Sequence, residues 1–330
     1  MTAIADERVR TKAPIVGALA AAAAITCVAL PIGHAVPLLG APIVALILGM
    51  ALPAGSLRTA LGRTSRLSLQ AGIVLLGATI SLHDVAGVGG ASLPVMLASL
   101  SSALAGAALL GHFLGVPERL RVLVGVGTAI CGASAIAAVS GAVRPKEAEL
   151  RYAISTIFLF NLVAVLTFPA LGHLMGMSQS AFGLWAGTAV NDASSAVAAG
   201  LAYGDAAAAH AVIVKLTRTL MIVPISLALA FIAMRRDTGE SPLRTARRAF
   251  PWFILFFIAA SAARTVGLVG AGATPTITHA GLILTTVAMA AVGLSSDLRE
   301  MRTAGPRPLA LGALVWITVA SVSLGTAALI

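Results

Sequence analysis

The amino-acid sequence predicts an all-α integral membrane protein with about eleven transmembrane helices, and three observations support this fold class. First, 58% of the 330 residues are hydrophobic and only 10% are charged, whereas roughly 25% of the residues in a soluble domain are charged. Second, the mean hydropathy is +0.99. Third, apolar stretches of about 20 residues recur along the chain, each long enough to cross ~30 Å of hydrocarbon as a helix.

Charged residues, prolines and glycines divide the chain into eleven predicted spans. These are residues 13–32, 36–53, 67–84, 93–115, 121–142, 152–172, 180–202, 210–233, 249–270, 277–297 and 308–329. The apolar run of the first span is long for a signal peptide, and further spans follow it, so we interpret it as uncleaved. Residues 1–12 are then a cytoplasmic tail, and residues 13–330 are a single transmembrane transporter domain.

The distribution of Lys and Arg predicts the orientation. With eleven spans and a cytoplasmic N-terminus, sixteen of the 22 Lys and Arg lie on the cytoplasmic side, many of them in residues 235–248 and 299–307. Only Arg144, Lys146 and Arg151 lie on the outer side. Because cytoplasmic loops of membrane proteins are enriched in Lys and Arg, we expect the N-terminus in the cytoplasm and the C-terminus outside.

The same composition excludes several classes of function. The net charge of +10 comes from short basic clusters between apolar spans, without the interleaved aromatic residues that nucleic-acid binding favours. The six histidines show no metal-ligand spacing, and no nucleotide-binding motif is present. We therefore expect no nucleic-acid partner, no metal ion, no cofactor and no enzyme activity.

The fifth and seventh spans share a pattern of small residues. Residues 127–130 read Gly-Thr-Ala-Ile and residues 187–190 read Gly-Thr-Ala-Val, and an Ala-Ser pair follows at the same distance, at residues 133–134 and 193–194. Both copies lie in odd-numbered spans, which predicts a parallel orientation. For the glycines alone, close helix packing is the favoured explanation. The glycines also weaken the helix, so we expect broken helices here.

A second similarity links residues 76–81 of the third span with residues 292–296 of the tenth span. These spans run in opposite directions, as an inverted-topology repeat requires. The two similarities imply different repeat registers, so the register stays open.

Asn191 and Asp192 lie near the middle of the seventh span, where a carboxylate costs roughly 2.5–3.5 kcal/mol. Ser194 and Ser195 follow and can donate hydrogen bonds there. A buried Asp that only fixes helix packing is the alternative, but ionisable groups at membrane depth usually serve function. We favour a functional site.

The eighth span carries the opposite charge. Lys215 and Arg218 are three residues apart and share a helix face. Lys215 alone could extend to the membrane surface, but Arg218 lies too far along the span. The pair is predicted to meet Asp192 or to bind an anion, and Pro224 is predicted to kink the helix.

Five segments in order resemble the YeiH family, to which sulfate export is ascribed. They are GIVLLGATISL from Gly72, GTAICGASAIAA from Gly127, GTAVNDASSAVAAG from Gly187, VIVKLTRTLMIVP from Val212 and VGLSSDLR from Val292. The resemblance implies a multi-pass protein of the bacterial inner membrane, grouped with cation–proton antiporter and anion transporter folds that use inverted repeats and broken helices. Some members carry His-Glu where this chain has Asn191-Asp192. The carboxylate is therefore retained in kind, whereas its neighbour differs, and the resemblance implies no proton-relay role for Asn191.

The resulting hypothesis is a secondary transporter of a small anion, sulfate or a related sulfur oxyanion, coupled to an ion or proton by alternating access. Asp192 is the predicted coupling residue. The predicted substrate-binding residues are Thr128, Gly132, Ser134, Asn191, Ser194, Ser195, Lys215 and Arg218. An anion channel and a membrane-embedded enzyme are the alternatives. The predicted partners are the lipid bilayer and the anion, and the oligomeric state, including a homo-oligomer, stays open.

Overall fold

The computed structural model describes residues 2–36, 40–52, 57–234, 250–296 and 306–329. These residues form α-helices and short turns, with no β-strand among them. The predicted all-α membrane class is therefore confirmed. The arginine-rich segment 235–248 and residues 299–302, which entered the predicted orientation, lie outside the described residues.

We number the α-helices of the described residues in chain order. They are α1 (Thr2–Ala35), α2 (Gly40–Met50), α3 (Arg58–Gly77), α4 (Leu82–Phe113), α5 (Glu118–Ala129), α6 (Ala133–Val143), α7 (Glu147–Leu174), α8 (Gln179–Ala189), α9 (Ala193–Tyr203), α10 (Asp205–Leu220), α11 (Ile222–Met234), α12 (Phe253–Thr265), α13 (Thr274–Ser295) and α14 (Pro306–Ala327). A short 3-10 turn, Ala271–Ala273, precedes α13.

Six helical segments of the described residues are long enough and apolar enough to cross a membrane. They are Pro14–Ala35, Leu82–Phe113, Glu147–Leu174, Asp205–Leu229, Thr274–Ser295 and Pro306–Ala327. The segment Asp205–Leu229 joins α10 and α11, which Met221 separates close to Pro224. Helix α4 begins eleven residues before the predicted start of the fourth span, because the Ser81 hydroxyl accepts a hydrogen bond from the Asp84 amide and caps it.

Contacts between neighbouring helices establish the direction of each one. Gly111 of α4 packs against Leu311 of α14, and Gly106 packs against Val315. Residue numbers therefore fall along α4 as they rise along α14, so the two helices are antiparallel. The end of α4 and the start of α14 lie at the same end of the bundle, which we call face A; the opposite end is face B.

Helix α7 runs parallel to α14. Gly312 of α14 packs against Thr156, and the Trp316 ring stacks on Phe168 with 5.8 Å between ring centroids. Residue numbers rise together along the two helices. Helix α7 therefore begins at face A and ends at face B.

Helices α5 and α6 form a re-entrant hairpin from face A, which we call the first hairpin. Four residues separate the end of α4 at face A from the start of α5, and three residues separate the end of α6 from the start of α7 at the same face. The two helices fold back on each other, since the Ile136 side chain of α6 packs against Gly127 of α5. The chain thus enters from face A, turns at residues 130–132 and returns to face A.

Helices α8 and α9 form a second hairpin, from face B. The Gln179 side chain at the start of α8 accepts a hydrogen bond of 3.0 Å from the amide of Ala206, at the start of α10. The Tyr203 hydroxyl at the end of α9 donates to the Met177 carbonyl, 2.6 Å away and just before α8. Both ends of the hairpin therefore lie at face B, and its turn at residues 190–192 lies inside the bundle.

These directions correct the predicted topology. The fifth and seventh predicted spans do not cross the bundle, so the prediction of eleven crossing helices is wrong for these two segments. The prediction that residues 127–134 and 187–194 run parallel is also wrong, because the two hairpins enter from opposite faces. The repeated pattern belongs to two inverted hairpins, and the predicted breaks are confirmed.

Helices α1, α2, α3, α12 and α13 form the rest of the described bundle, and α2 and α13 contact α9 of the second hairpin. Helices α2 and α13 cross where Gly49 and Gly293 bring their backbones together; a Cβ at Gly293 would lie 2.3 Å from the Leu46 carbonyl oxygen. The Ser261 hydroxyl of α12 donates to the Gly77 carbonyl at the end of α3, 3.0 Å away. Small residues permit such close approach of membrane helices.

The described basic side chains concentrate at face A. Those at or near this face are Arg58, Arg63, Arg66, Arg119, Arg121, Arg144, Lys146, Arg151 and Arg307, whereas Arg264 lies near face B. The first hairpin therefore moves Arg144, Lys146 and Arg151 to the same face as the other basic residues. Their predicted position opposite those residues is wrong.

Candidate functional site

The tips of the two hairpins meet inside the bundle. Gly132, at the tip of the first hairpin, has φ 69° and ψ −132°, a conformation that glycine adopts readily. A Cβ at this position would lie 3.7 Å from the Cβ of Asp192, at the tip of the second hairpin. The first helix of each hairpin therefore ends, and the second begins, at a common point.

Two buried cations of α10 bind the ends of the first helices. The Arg218 guanidinium donates to the carbonyl oxygens of Ala129, at 2.5 Å, and Thr128, at 3.0 Å. The Lys215 ammonium donates to the Val190 carbonyl. Arg218 is 0% exposed and Lys215 1%. Each cation thus satisfies carbonyl groups that the end of a helix leaves without partners.

Helix dipoles account for these two cations in the interior. The carboxyl end of a helix carries roughly half a negative charge, and the ends of α5 and α8 lie beside Arg218 and Lys215. Neither cation forms an ion pair with a carboxylate of the described residues. The predicted ion pair between the basic residues and Asp192 is therefore not present in this structure.

Asp192 caps the second helix of the second hairpin. Its carboxylate accepts hydrogen bonds from the Ser195 amide, at 3.2 Å, and from the Ser194 hydroxyl. The Asp192 amide donates to the Asn161 side-chain oxygen, 3.0 Å away, and the Asn161 side-chain nitrogen donates to the Ser195 hydroxyl at 2.5 Å. Asn161 of α7 therefore attaches the tip of the second hairpin to a crossing helix.

A polar pocket of about 260 Å³ extends from the tips toward face A. Its lining residues come from five parts of the bundle: Gly62, Ser65, Arg66, Leu69, Ala133, Ser134, Ile154, Ile157, Phe158, Asn161, Asp192, Ser194, Val292 and Ser295. Asp192 is half-buried, and Arg66 and Ser134 are exposed. The pocket therefore brings a carboxylate, a guanidinium, an amide and several hydroxyl groups to membrane depth.

The amino end of α6 opens into this pocket without a side-chain cap. Gly132 occupies the capping position, and Ala133 and Ser134 of the first turn line the pocket. The amino end of a helix carries partial positive charge and unbonded amide groups, which bind anions. The second hairpin differs, because Asp192 already caps α9.

The structure separates the nine predicted site residues into three groups. Ser134, Asp192 and Ser194 line the polar pocket. Ser195 is buried beside it, bonded to Asn161. The remaining residues do not line the pocket: Thr128, Gly132, Asn191, Lys215 and Arg218.

Several buried polar atoms around the tips have no partner among the described residues. They are the Thr128 hydroxyl, both polar atoms of the Asn191 amide and one terminal nitrogen of Arg218. Buried polar groups are normally hydrogen-bonded. The tips therefore keep unused hydrogen-bonding capacity in this conformation.

Three residues that line the pocket were not predicted as site residues from the sequence: Ser65, Arg66 and Ser295. The third predicted span begins at residue 67, so hydropathy alone places Arg66 just outside it. Helix α3 instead begins at Arg58, so Arg66 lies two turns inside it. Ser295 belongs to segment 292–296, which resembles residues 76–81, and this similarity was the sequence feature that could have indicated Ser295 as a site residue. No group of three or more His, Cys, Asp or Glu within the described ranges is placed to hold a metal ion.

Comparison with known proteins shows that the chain is similar to one family of membrane proteins over most of its length. The sequence profile described as Conserved hypothetical protein 698 matches residues 17–312. A UPF0324 membrane protein of Streptococcus pneumoniae strain R6 is 39% identical over 312 residues, covering 91% of this chain and 92% of the relative. One from Streptococcus pyogenes serotype M18 is 38% identical over 308 residues, covering 89% and 91%.

A more distant relative extends the same relationship. A UPF0324 membrane protein of Fusobacterium nucleatum is 34% identical over 319 residues, covering 89% of this chain and 92% of its own length. No solved structure matches the chain.

Proposed function

We propose that this chain, which belongs to the YeiH/UPF0324 family of membrane proteins, is a secondary transporter of a small anion. The observation that carries the proposal is the uncapped amino end of α6, which opens into a polar pocket between two inverted hairpins. Discontinuous helices that meet near the middle of the membrane are typical of secondary transporters. Sulfate or a related sulfur oxyanion is the proposed substrate, and export is the proposed direction.

The proposed anion site combines three kinds of donor. The first-turn amides of α6 supply the positive end of a helix dipole, and Arg66 supplies a full positive charge on the wall toward face A. The Ser134 hydroxyl can donate a hydrogen bond, and the Ser194 hydroxyl can do so when it leaves the Asp192 carboxylate. Charge-assisted hydrogen bonds from a guanidinium suit an oxyanion. The pocket volume of about 260 Å³ leaves room for a tetrahedral oxyanion together with water.

Asp192 is the proposed coupling residue. An ionised carboxylate repels an anion in the same pocket, whereas a protonated one does not and can donate a hydrogen bond. Anion and proton would then bind together, which couples their movement. In this role Asp192 would change protonation state while its backbone keeps the Asn161 contact that positions the hairpin.

Lys215 and Arg218 have a proposed role as supports of the hairpin tips. They hold one tip each through backbone carbonyls, so movement of α10 would move both tips together. Alternating access would follow when the tips shift and the pocket opens toward face B. Direct contact of these cations with the anion, as the sequence predicted, would require them to leave those carbonyls.

The orientation follows from the basic residues. Face A carries nine of the described Lys and Arg, so we place it in the cytoplasm of a bacterial inner membrane. The pocket then opens to the cytoplasm, the side from which an exporter loads its substrate.

Flux measurements in proteoliposomes test this function. We expect labelled sulfate, sulfite or a related oxyanion to be taken up in a saturable manner, to show counter-flow and to respond to an imposed pH gradient. The variant Arg66→Gln is expected to raise the half-saturating concentration of anion about tenfold. Absence of flux for every small inorganic anion tested would contradict the proposal.

A channel is the alternative for the same fold, and the same assay distinguishes it. A channel needs a continuous pore, whereas Lys215 and Arg218 are buried, bind backbone carbonyls of the hairpin tips and do not line the pocket. Flux that neither saturates nor shows counter-flow would favour a channel.

A further inference from the structure

The bundle contains a second, larger concave site on the outer side of the first hairpin. This groove has a volume of about 520 Å³ and lies between α4, α5 and α11. Its walls are apolar except at one end, where Glu118 and Arg121 begin α5. Ala108 and Ala228 on its edges are exposed, so the groove opens to the surroundings of the protein.

The position of the groove matches the leaflet at face A. Helix α5 begins at face A with Glu118, and Val126 lines the deepest part of the groove, eight residues further along the helix. Eight residues of helix rise by roughly 12 Å, which is close to half of the ~30 Å hydrocarbon layer. In a bilayer whose surface lies at face A, a concavity at this depth faces the acyl-chain layer.

The polar end of the groove carries an incompletely bonded arginine. The Arg121 stem lies against Gly111 of α4, and one terminal nitrogen donates to the Ala108 carbonyl, 3.3 Å away. Its Nε is buried and has no partner in the described part of the chain. Arg307 does not line the groove but lies beside Gly115 at the same face, so it adds a second positive charge near this end of the groove.

We propose that this groove is a binding site for one anionic phospholipid. One acyl chain lies along Val122 and Val126, and the phosphate accepts hydrogen bonds from Arg121 at face A. Basic pockets between transmembrane helices bind anionic lipid head groups in this way. The acyl chain would support the outer side of α5, whose tip contacts the second hairpin, so bound lipid would stabilise the first hairpin.

Native mass spectrometry of the purified full-length protein tests the proposal, with added phosphatidylglycerol and phosphatidylcholine as probes. We expect one tightly bound phosphatidylglycerol and no comparable binding of phosphatidylcholine. The variant Arg121→Gln removes the head-group donors, and Ala228→Trp fills the groove from its exposed edge. Each is expected to weaken phosphatidylglycerol binding roughly tenfold.

The variant Arg151→Gln is the matched control, because it removes an exposed arginine from the same face outside the groove. It should bind phosphatidylglycerol as the wild type does. Equal binding of the two lipids by the wild type would overturn the proposal. Full retention of phosphatidylglycerol by both Arg121→Gln and Ala228→Trp would also overturn it, and folding of each variant is checked by thermal unfolding.

Discussion

At the residue scale, Asp192 caps a helix and has a proposed role in coupling, and substitution can separate the two. As a helix cap it needs only an acceptor oxygen for the Ser195 amide, whereas as a coupling residue it needs an ionisable group. We expect Asp192→Asn to fold normally but to lose the effect of a pH gradient on anion flux. Flux of Asp192→Asn that responds to the gradient as the wild type does would remove Asp192 from the coupling mechanism.

Comparison of Asp192→Ala with Asp192→Asn separates the contribution of the helix cap from that of the charge. It loses both, and loss of a cap costs about 0.5–2 kcal/mol. We expect a lower midpoint of thermal unfolding in detergent than for Asp192→Asn, together with the same loss of response to pH. Equal midpoints for the two variants would show that the cap contributes little.

Arg218 and Lys215 should differ in their contribution to stability. Arg218→Met leaves two buried carbonyls without a donor, and Lys215→Met leaves one. Each unsatisfied buried group costs about 1–3 kcal/mol, so we expect Arg218→Met to lower the unfolding midpoint more. Arg63→Gln, an exposed arginine of α3, serves as the control and should unfold as the wild type does. The reverse order of the two Met variants would contradict the described contacts.

At the scale of the element, the turn of the first hairpin should require glycine at position 132. Gly132 has a positive φ that an L side chain adopts at a cost of roughly 1–3 kcal/mol. We expect Gly132→Ala to lower both the unfolding midpoint and the anion flux. Gly87→Ala is the matched control, since Gly87 lies in α4 with open space around it, where alanine favours the helix. Equal effects of the two substitutions would argue against the described turn.

The breaks in these elements could be predicted from the sequence, but their direction could not. Glycines and the Asn191-Asp192 pair weaken a helix locally, which the composition alone reveals. An apolar segment of about 20 residues can either cross the membrane or fold back at its middle, and hydropathy is the same for both. The direction depends on long-range contacts, such as Gln179 with the start of α10, which carry no local signature.

One signal for the hairpins was present in the charges. Arg144, Lys146 and Arg151 were the only basic loop residues that the eleven-span topology placed opposite the others. A re-entrant fifth segment removes this exception. For the site, Ser134 and Asp192 were found because polar groups are rare at membrane depth, whereas Arg66 was missed because the start of α3 depends on packing and not on hydropathy.

At the scale of the whole molecule, two hairpins enter from opposite faces and meet beside one pocket. Removing two crossings reverses only α7 and the loops at its two ends, while every segment before the first hairpin and after the second hairpin keeps its predicted orientation. The proposed cytoplasmic N-terminus and external C-terminus therefore remain consistent with the corrected topology.

Cysteine accessibility tests this architecture most directly. In a background with Cys27→Ser and Cys131→Ser, single cysteines replace Arg119, Lys146, His83 or Met175, and a membrane-impermeant maleimide is added to one side of the membrane. We expect residues 119 and 146 to react from one side, and residues 83 and 175 to react from the other. Pairing of 119 with 175, and of 83 with 146, would restore eleven crossings and contradict the two inverted hairpins.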